Sequence, residues 1–254
     1  MTRLALVVEY DGRPFVGWQR QDNGPTVQAA LEEAVRRFCG EQPVLVGAGR
    51  TDTGVHAAAQ VAHLDLDRAV DPGRMRDALN HHLRPAPVAV LAVRPMPEDF
   101  HARFGAVSRA YRYRILTRRA PPTTERGLVW HHPNRLDAEV MHDAGQTLVG
   151  VHDFTSFRAV ACQARSPRKS LDLLHVRRLG DVVEVNVRAR SFLHHQVRNI
   201  VGSLALVGSG KRPHGWIQEV LEARDRTQAG PTAPPDGLTL MEIGYPGWNS
   251  REHR

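Results

Sequence analysis

From residue 3 to residue 10 the chain alternates with a period of two. Leu4, Leu6, Val8 and Tyr10 are separated by mostly polar or small neighbours, and the run stops at Asp11-Gly12. This is the pattern of a half-buried strand entering a turn. After a loop carrying Trp18-Gln19-Arg20-Gln21, whose indole is expected to stand exposed among polar groups, the period changes. Val27, Ala30, Leu31, Ala34, Val35 and Phe38 fall on one helical stripe, with Thr26 placed as its N-cap and Gly40 closing it. Residues 43–46 and 55–66 read as strands on either side of a glycine-rich turn. Asp71-Pro72 opens a short helix bearing Met75, Ala78, Leu79 and Leu83, and residues 88–93 read as a fourth strand. The order β-α-β-β-α-β is that of the split βαβ, or ferredoxin-like, unit.

Arg94-Pro95-Met96-Pro97-Glu98-Asp99 is rich in proline and polar residues and marks a boundary, giving halves of 1–98 and 99–254. In the second half, residues 107–117 alternate again. Arg109, Tyr111, Tyr113 and Ile115 share one strand face, and Arg112 and Arg114 the other. A helix is expected from about 137, with Val140, Met141, Ala144 and Leu148 inward. Strands at 171–178 and 182–190 form a hairpin at Gly180-Asp181. Helices at 192–207 and 214–223 and a last strand at 238–243 complete a second β-α-β-β-α-β pattern with additions. No sequence identity links the halves. Residues 158–169 and 224–236 are the segments expected to be mobile.

The fold class that follows is α+β: two tandem ferredoxin-like halves sharing a central, mainly antiparallel sheet, with helices on one side. Its other face would be open, carrying Tyr111, many arginines and a turn at its rim. A basic face bearing an aromatic ring suits RNA, because guanidinium groups take phosphates and a ring takes an unstacked base.

A chain of 254 residues with 41% hydrophobic and 24% charged residues is globular, and its net charge of +7 makes a polyanion a reasonable partner. The start, Met1-Thr2-Arg3-Leu4, runs directly into a strand pattern without a signal peptide, and no apolar run has the length of a membrane span. Cys39 and Cys162 lie far apart without metal spacing, which fits a reducing compartment. A cytoplasmic location is therefore expected.

The chemistry concentrates in Gly47-Ala48-Gly49-Arg50-Thr51-Asp52-Thr53-Gly54-Val55-His56-Ala57. Three glycines around one carboxylate describe a sharp turn. Asp52, charged and without a partner carboxylate, suits a nucleophile; the same pattern also describes a polar turn with a surface ion pair to Arg50. Asp52-Thr53-Gly54 spells the aspartic-protease triplet, but that reaction needs two carboxylates sharing a proton, and there is no second triplet. Gly208-Ser209-Gly210-Lys211 lacks the first glycine of a phosphate loop, Ala205 standing there. The pairs His81-His82, His131-His132 and His194-His195 invite a metal, yet adjacent side chains on a helix diverge by about 100°, so no metal site is expected. Arg198, among Val197, Ile200 and Val201, is either drawn toward the core to meet a carboxylate or snorkels to water; Tyr111 also reads as an ordinary half-buried strand tyrosine.

Gly49-Arg50-Thr51-Asp52-Thr53-Gly54-Val55-His56-Ala57 resembles the signature of the tRNA pseudouridine synthase A family. Similar to that family as well are Glu9-Tyr10-Asp11-Gly12 with Gly17-Trp18-Gln19-Arg20-Gln21, Asp99-Phe100-His101-Ala102-Arg103-Phe104, Tyr111-Arg112-Tyr113, Asp153-Phe154-Thr155-Ser156-Phe157-Arg158 and residues 192–203. The resemblance implies a homodimeric isomerase, without cofactor, converting uridines 38, 39 and 40 of the tRNA anticodon arm to pseudouridine. It gives Asp52 the nucleophile's place, Tyr111 the ring that stacks on the uracil, and Arg198 the basic partner of the aspartate. Arg50 falls where the family uses an arginine during base flipping. Phe100, His101, Ala102, Arg103 and Phe104, and Ala161, Cys162, Gln163, Ala164 and Arg165, fall at tRNA-contacting positions. The match is weakest from residue 65 to 75, where Arg68 is the nearest counterpart of a further basic residue. The rival class is a non-catalytic RNA-binding module, which shares the split βαβ unit but carries a Gly-aromatic-Gly-aromatic strand signature missing here.

Overall fold

In the computed structural model, which describes residues 1–252, the first elements are β1 (Thr2–Tyr10), α1 (Val27–Cys39), β2 (Val46–Gly47), β3 (His56–Leu66), α2 (Pro72–His82) and β4 (Val88–Met96). There follow β5 (Ser108–Leu116), β6 (Trp130–His131), α3 (Ala138–Gln146), β7 (Gly150–Asp153), β8 (Arg168–Leu171), β9 (Leu173–Leu179) and β10 (Val182–Ala189). The described chain ends with α4 (Gln196–Gly208), α5 (Trp216–Ala223), β11 (Leu238–Tyr245) and β12 (Trp248–Asn249). The fold is α+β, its strands mainly antiparallel, with five α-helices among the described residues.

The chain packs as two compact units, one of residues 1–108 with the chain from Thr239 onward, the other of Arg109–Leu238. This division differs from a break after residue 98. Residues 99–108 pack with the first unit, where the Arg3 guanidinium holds the carbonyls of Glu98 and Phe100. The last strand joins it too, because β11 runs parallel to β3, pairing Thr239 with His56 and Leu240 with Ala57.

In the first unit β1 lies between β4 and β3, antiparallel to both. The caps read from the sequence are in place: Thr26 Oγ1 accepts from the Ala29 amide, and Gly40 is left-handed at φ 80°. β1 is buried on both faces, Leu4 and Leu6 on one and Ala5 and Val7 on the other. The second face is therefore not open as expected. The register puts His63 opposite Ala5, and the Ala102 amide bonds the His63 ring, which brings the segment around residue 102 over this face.

In the second unit β10 lies between β9 and β5, antiparallel to both, with Gly180 at φ 59° in the predicted hairpin. Tyr111 pairs with Val187, and Val187 with Leu174, so the three side chains share a face. Gly145 of α3 comes so close to Leu174 that a Cβ there would lie 2.5 Å from it. Tyr111 thus stands on the helix-bearing face, contrary to the expectation that it lies on an open one. The opposite face carries Arg112, Arg114, Arg177, Glu184 and Asn186.

Three further differences have local causes. β7 and β8 form a separate two-stranded ladder that short, mixed-polarity runs do not announce. The helix expected from residue 192 begins at Gln196, because His195 is left-handed (φ 61°) and Gln196 Oε1 accepts from the Leu193 amide. Residues 224–236, expected to be mobile, are fastened to α4. The Gly230 amide bonds Ser203 Oγ, Thr232 Oγ1 bonds Asn199 Oδ1 at 2.6 Å, and Arg226 reaches Asn199, Thr232 and the Gly230 carbonyl. Gly202 permits this approach, since a Cβ there would sit 1.8 Å from the Pro231 oxygen.

Glu184 is buried on the arginine-bearing face and accepts from Arg177 at 2.7 Å and Asn186 at 2.9 Å. Burial pushes its carboxyl up, but the bonds from Asn186 and Arg177 together outweigh burial and hold it below the usual glutamate range. A depressed carboxyl contributes stability above its unfolded pKa, roughly 4.3, and loses it as pH falls through the folded value. Glu184→Gln is expected to remove part of the acid-side loss of stability; urea unfolding from pH 7 to pH 3 checks this.

Candidate active site

The turn bearing Asp52 is built by a second loop wrapped around it. Leaving β2, the Ala48 amide donates to the Val61 carbonyl at 2.7 Å, and Gln60 Nε2 to the Gly49 carbonyl at 2.9 Å. The chain then reverses, with the Val55 amide bonding the Asp52 carbonyl and Gly54 at φ 76°. From the other loop, the Trp18 amide donates to the Thr51 carbonyl at 3.1 Å and the Tyr10 hydroxyl lies 2.7 Å from Thr51 Oγ1. Thr53 Oγ1 donates to the Val16 carbonyl, the Gly54 amide to the Phe15 carbonyl, and the Gly12 amide to His56 Nδ1.

Two glycines make the contact possible. A Cβ on Gly12 would lie 2.2 Å from the Val55 oxygen, and Gly17, at φ 121°, would place one 2.8 Å from the Thr51 oxygen. Trp18, expected to be exposed, is 2% accessible. Its indole lies against Gly47, where a Cβ would fall 2.5 Å from the ring. The motif around residues 10–18 is thus the outer half of the Asp52 turn. Its cue in the sequence is the joint presence of glycines and a tryptophan, not any charge. Within this frame Asp52 is half-buried and Arg50 exposed.

The second unit holds Tyr111 and Arg198. Tyr111, half-buried, meets Phe192 edge to face at 5.2 Å. Arg198 lies in the first turn of α4, where its Nε donates to the Ala233 carbonyl at 2.7 Å while the Ala233 amide returns a bond to the Arg198 carbonyl. Tyr113, on the same strand face as Tyr111, donates to the next carbonyl, that of Pro234. Burial pushes the Tyr113 phenol well above its ordinary range, with the charge of Arg198 pulling the other way. The guanidinium is thereby tethered to the 233–234 segment, a partner that neither reading of Arg198 from the sequence contained.

Among the candidate RNA contacts, Phe100 packs on Tyr245 at 5.1 Å, Ala102 is buried, and Phe104 is 73% exposed beneath Arg103. The stretch from Ala161 to Arg165 lies beyond a short turn at Thr155–Phe157. Ala161, Gln163 and Arg165 are exposed, Cys162 and Ala164 half-buried, and the Ala159 amide ties the loop to the His194 carbonyl. Arg68 bonds Glu41 at 3.1 Å and the Cys39 carbonyl.

The family described as tRNA pseudouridine synthase matches residues 6–105 and 144–246. A tRNA pseudouridine synthase A of Rhodospirillum rubrum is 58% identical over 247 residues, covering 97% of this chain and 89% of that protein. Proteins of the same name from Rhodospirillum centenum and Parvibaculum lavamentivorans are 58% and 53% identical over 245 residues, each covering 96% of this chain and 100% of the relative. The matches define the class: an isomerase that acts on uridine in RNA. The chain belongs to the tRNA pseudouridine synthase A family.

Trp18→Ala removes the indole that fills the space over Gly47. It is expected to cost about 3–5 kcal/mol, as for other large-to-small changes at buried aromatics, read from urea unfolding at neutral pH.

Proposed function

We propose that this chain converts uridine to pseudouridine in tRNA, at positions 38, 39 and 40 of the anticodon arm, with Asp52 as the nucleophile. The observation that carries the reading is the nine-residue block from Gly49 to Ala57, whose only carboxylate sits on a turn held by bonds from Tyr10, Phe15, Val16 and Trp18. A carboxylate fixed at its backbone is pre-positioned for attack.

The reaction breaks the C1′–N1 bond, turns the uracil and rejoins it through C5. It changes no oxidation state, and the reading includes no cofactor. The target base first leaves its stack, at a cost of a few kcal/mol. Stacking on Tyr111 returns about 1–3 kcal/mol of that, with Arg50 assisting extrusion and arginines holding flanking phosphates. Arg198 acts as the basic partner of the Asp52 carboxylate. Addition to the base, capture of the sugar and a glycal route all use the same carboxylate. The C5 proton is then removed by Tyr111 or by water beside it. The segments 100–104 and 161–165 serve as contacts to the tRNA. The reading includes a homodimer working in the cytoplasm; among the described residues no helix is long and apolar enough to cross a membrane.

Asp52→Asn, nearly isosteric but uncharged, is expected to abolish turnover while leaving tRNA affinity within a few-fold; product mapped by position on tRNA transcripts checks both. Robust pseudouridine from this variant removes Asp52 from the chemistry. Tyr111→Phe keeps the stacking ring, so slowed turnover at unchanged affinity is expected if the phenol handles the C5 proton.

A further inference from the structure

His63 lies in the middle of β3, is 6% exposed, and is used by nothing in the reaction above. Its Nδ1 accepts the Ala102 amide at 3.2 Å, in the segment that carries exposed Phe104. Across the ladder His63 pairs with Val46, on the two-residue strand that leads into the Asp52 turn. With Nδ1 accepting an amide, the imidazole that makes this bond is neutral and carries its proton on Nε2.

The segment has further anchors. Arg3 holds the Glu98 and Phe100 carbonyls, and the Tyr245 hydroxyl donates to the Ala102 carbonyl at 2.7 Å. The ring of His101 lies 4.8 Å from His63, and its Nδ1 accepts the amides of Arg103 and Phe104. The His101 ring also packs at 4.4 Å on Phe104. What distinguishes His63 is that it joins this segment to the strand entering the turn of Asp52.

We propose that His63 is a positioning residue: as a neutral imidazole it fixes the 100–104 segment to the lead-in of the Asp52 turn, and protonation at Nδ1 releases the segment. The proposal rests on the reading of 100–104 as an RNA contact. A proton on Nδ1 would point at the Ala102 amide, donor against donor. The charged and titratable groups facing the ring are Arg3 from β1, His101 from the segment and Asp65 from β3 itself. Burial, His101 and Arg3 push His63 below the ordinary histidine range, and Asp65 opposes them. The neutral form therefore holds at physiological pH, and the release lies on the acid side.

The test compares wild type with His63→Asn, whose amide oxygen replaces Nδ1 as acceptor but does not protonate. Between about pH 7.5 and 5, KM for an anticodon-arm RNA is expected to climb in wild type relative to the variant, by up to tenfold per pH unit below the titration, with kcat moving much less. Amide exchange of the protein alone, followed at Ala102, is expected to lose protection over the same range in wild type and to stay flat in the variant. Identical KM profiles in the two proteins overturn the positioning role. Ala102 protection that ignores pH in wild type overturns the clamp, with no variant needed. Absence of any turnover by wild type refutes the proposed reaction instead, and the clamp still stands or falls by the exchange measurement.

Discussion

The local structure around Asp52 depends on the close approach of two loops that lack side chains at the points of contact. Gly12 against the Val55 carbonyl and Gly17 against the Thr51 carbonyl bring the chains within a distance that a single methyl would forbid. The bonds that follow, from Trp18, Gly54, Thr53 and Tyr10, are ordinary in strength, about 1 kcal/mol each. Their number fixes the direction of the carboxylate-bearing backbone, and Trp18 seals the back against Gly47. A half-buried aspartate is thereby presented from a turn braced by β3 on one side and by the glycine-bearing loop on the other.

Much of this was legible in the sequence, for identifiable reasons. Periodicity located α1, α2, β5 and the β9–β10 hairpin, and apolar runs of strand length located β1 and β3, which are buried on both faces. The nine-residue block singled out Asp52 without coordinates. Trp18 misled because a tryptophan among polar neighbours reads as exposed, whereas its cavity is made by Gly47, on β2. Residues 224–236 misled likewise. Their proline, glycine and polar content describes a loop, but the partners that hold them, Asn199 and Ser203, look like polar interruptions of a helix. Local composition carries no record of such distant pairing.

The assignment of faces was harder to read. Alternation shows that Tyr111 and Arg112 point opposite ways, not which of them meets a helix. The structure puts Tyr111 in the row with Val187 and Leu174, the last of which meets α3, and leaves the arginines around Glu184. Tyr113 explains the preference: its ring, buried beside Gly237 with its hydroxyl on the Pro234 carbonyl, needs cover that an arginine row does not. Arg198 is held at the same segment by the Ala233 carbonyl, so the orientation of one cation follows from the burial of a neighbouring phenol.

The chain leaves its first unit at residue 108 and returns only at Thr239, with β11 laid parallel against His56 and Ala57. Ribosomal synthesis delivers these parts in order, so the stretch just after the Asp52 turn, which already has β1 on one side, gains the strand on its other side only when Thr239 and Leu240 emerge. Tyr245, which fastens Ala102, arrives later still. The amino-terminal portion therefore cannot reach its finished arrangement as a nascent fragment that stops short of residues 239–245, however early its own strands pair.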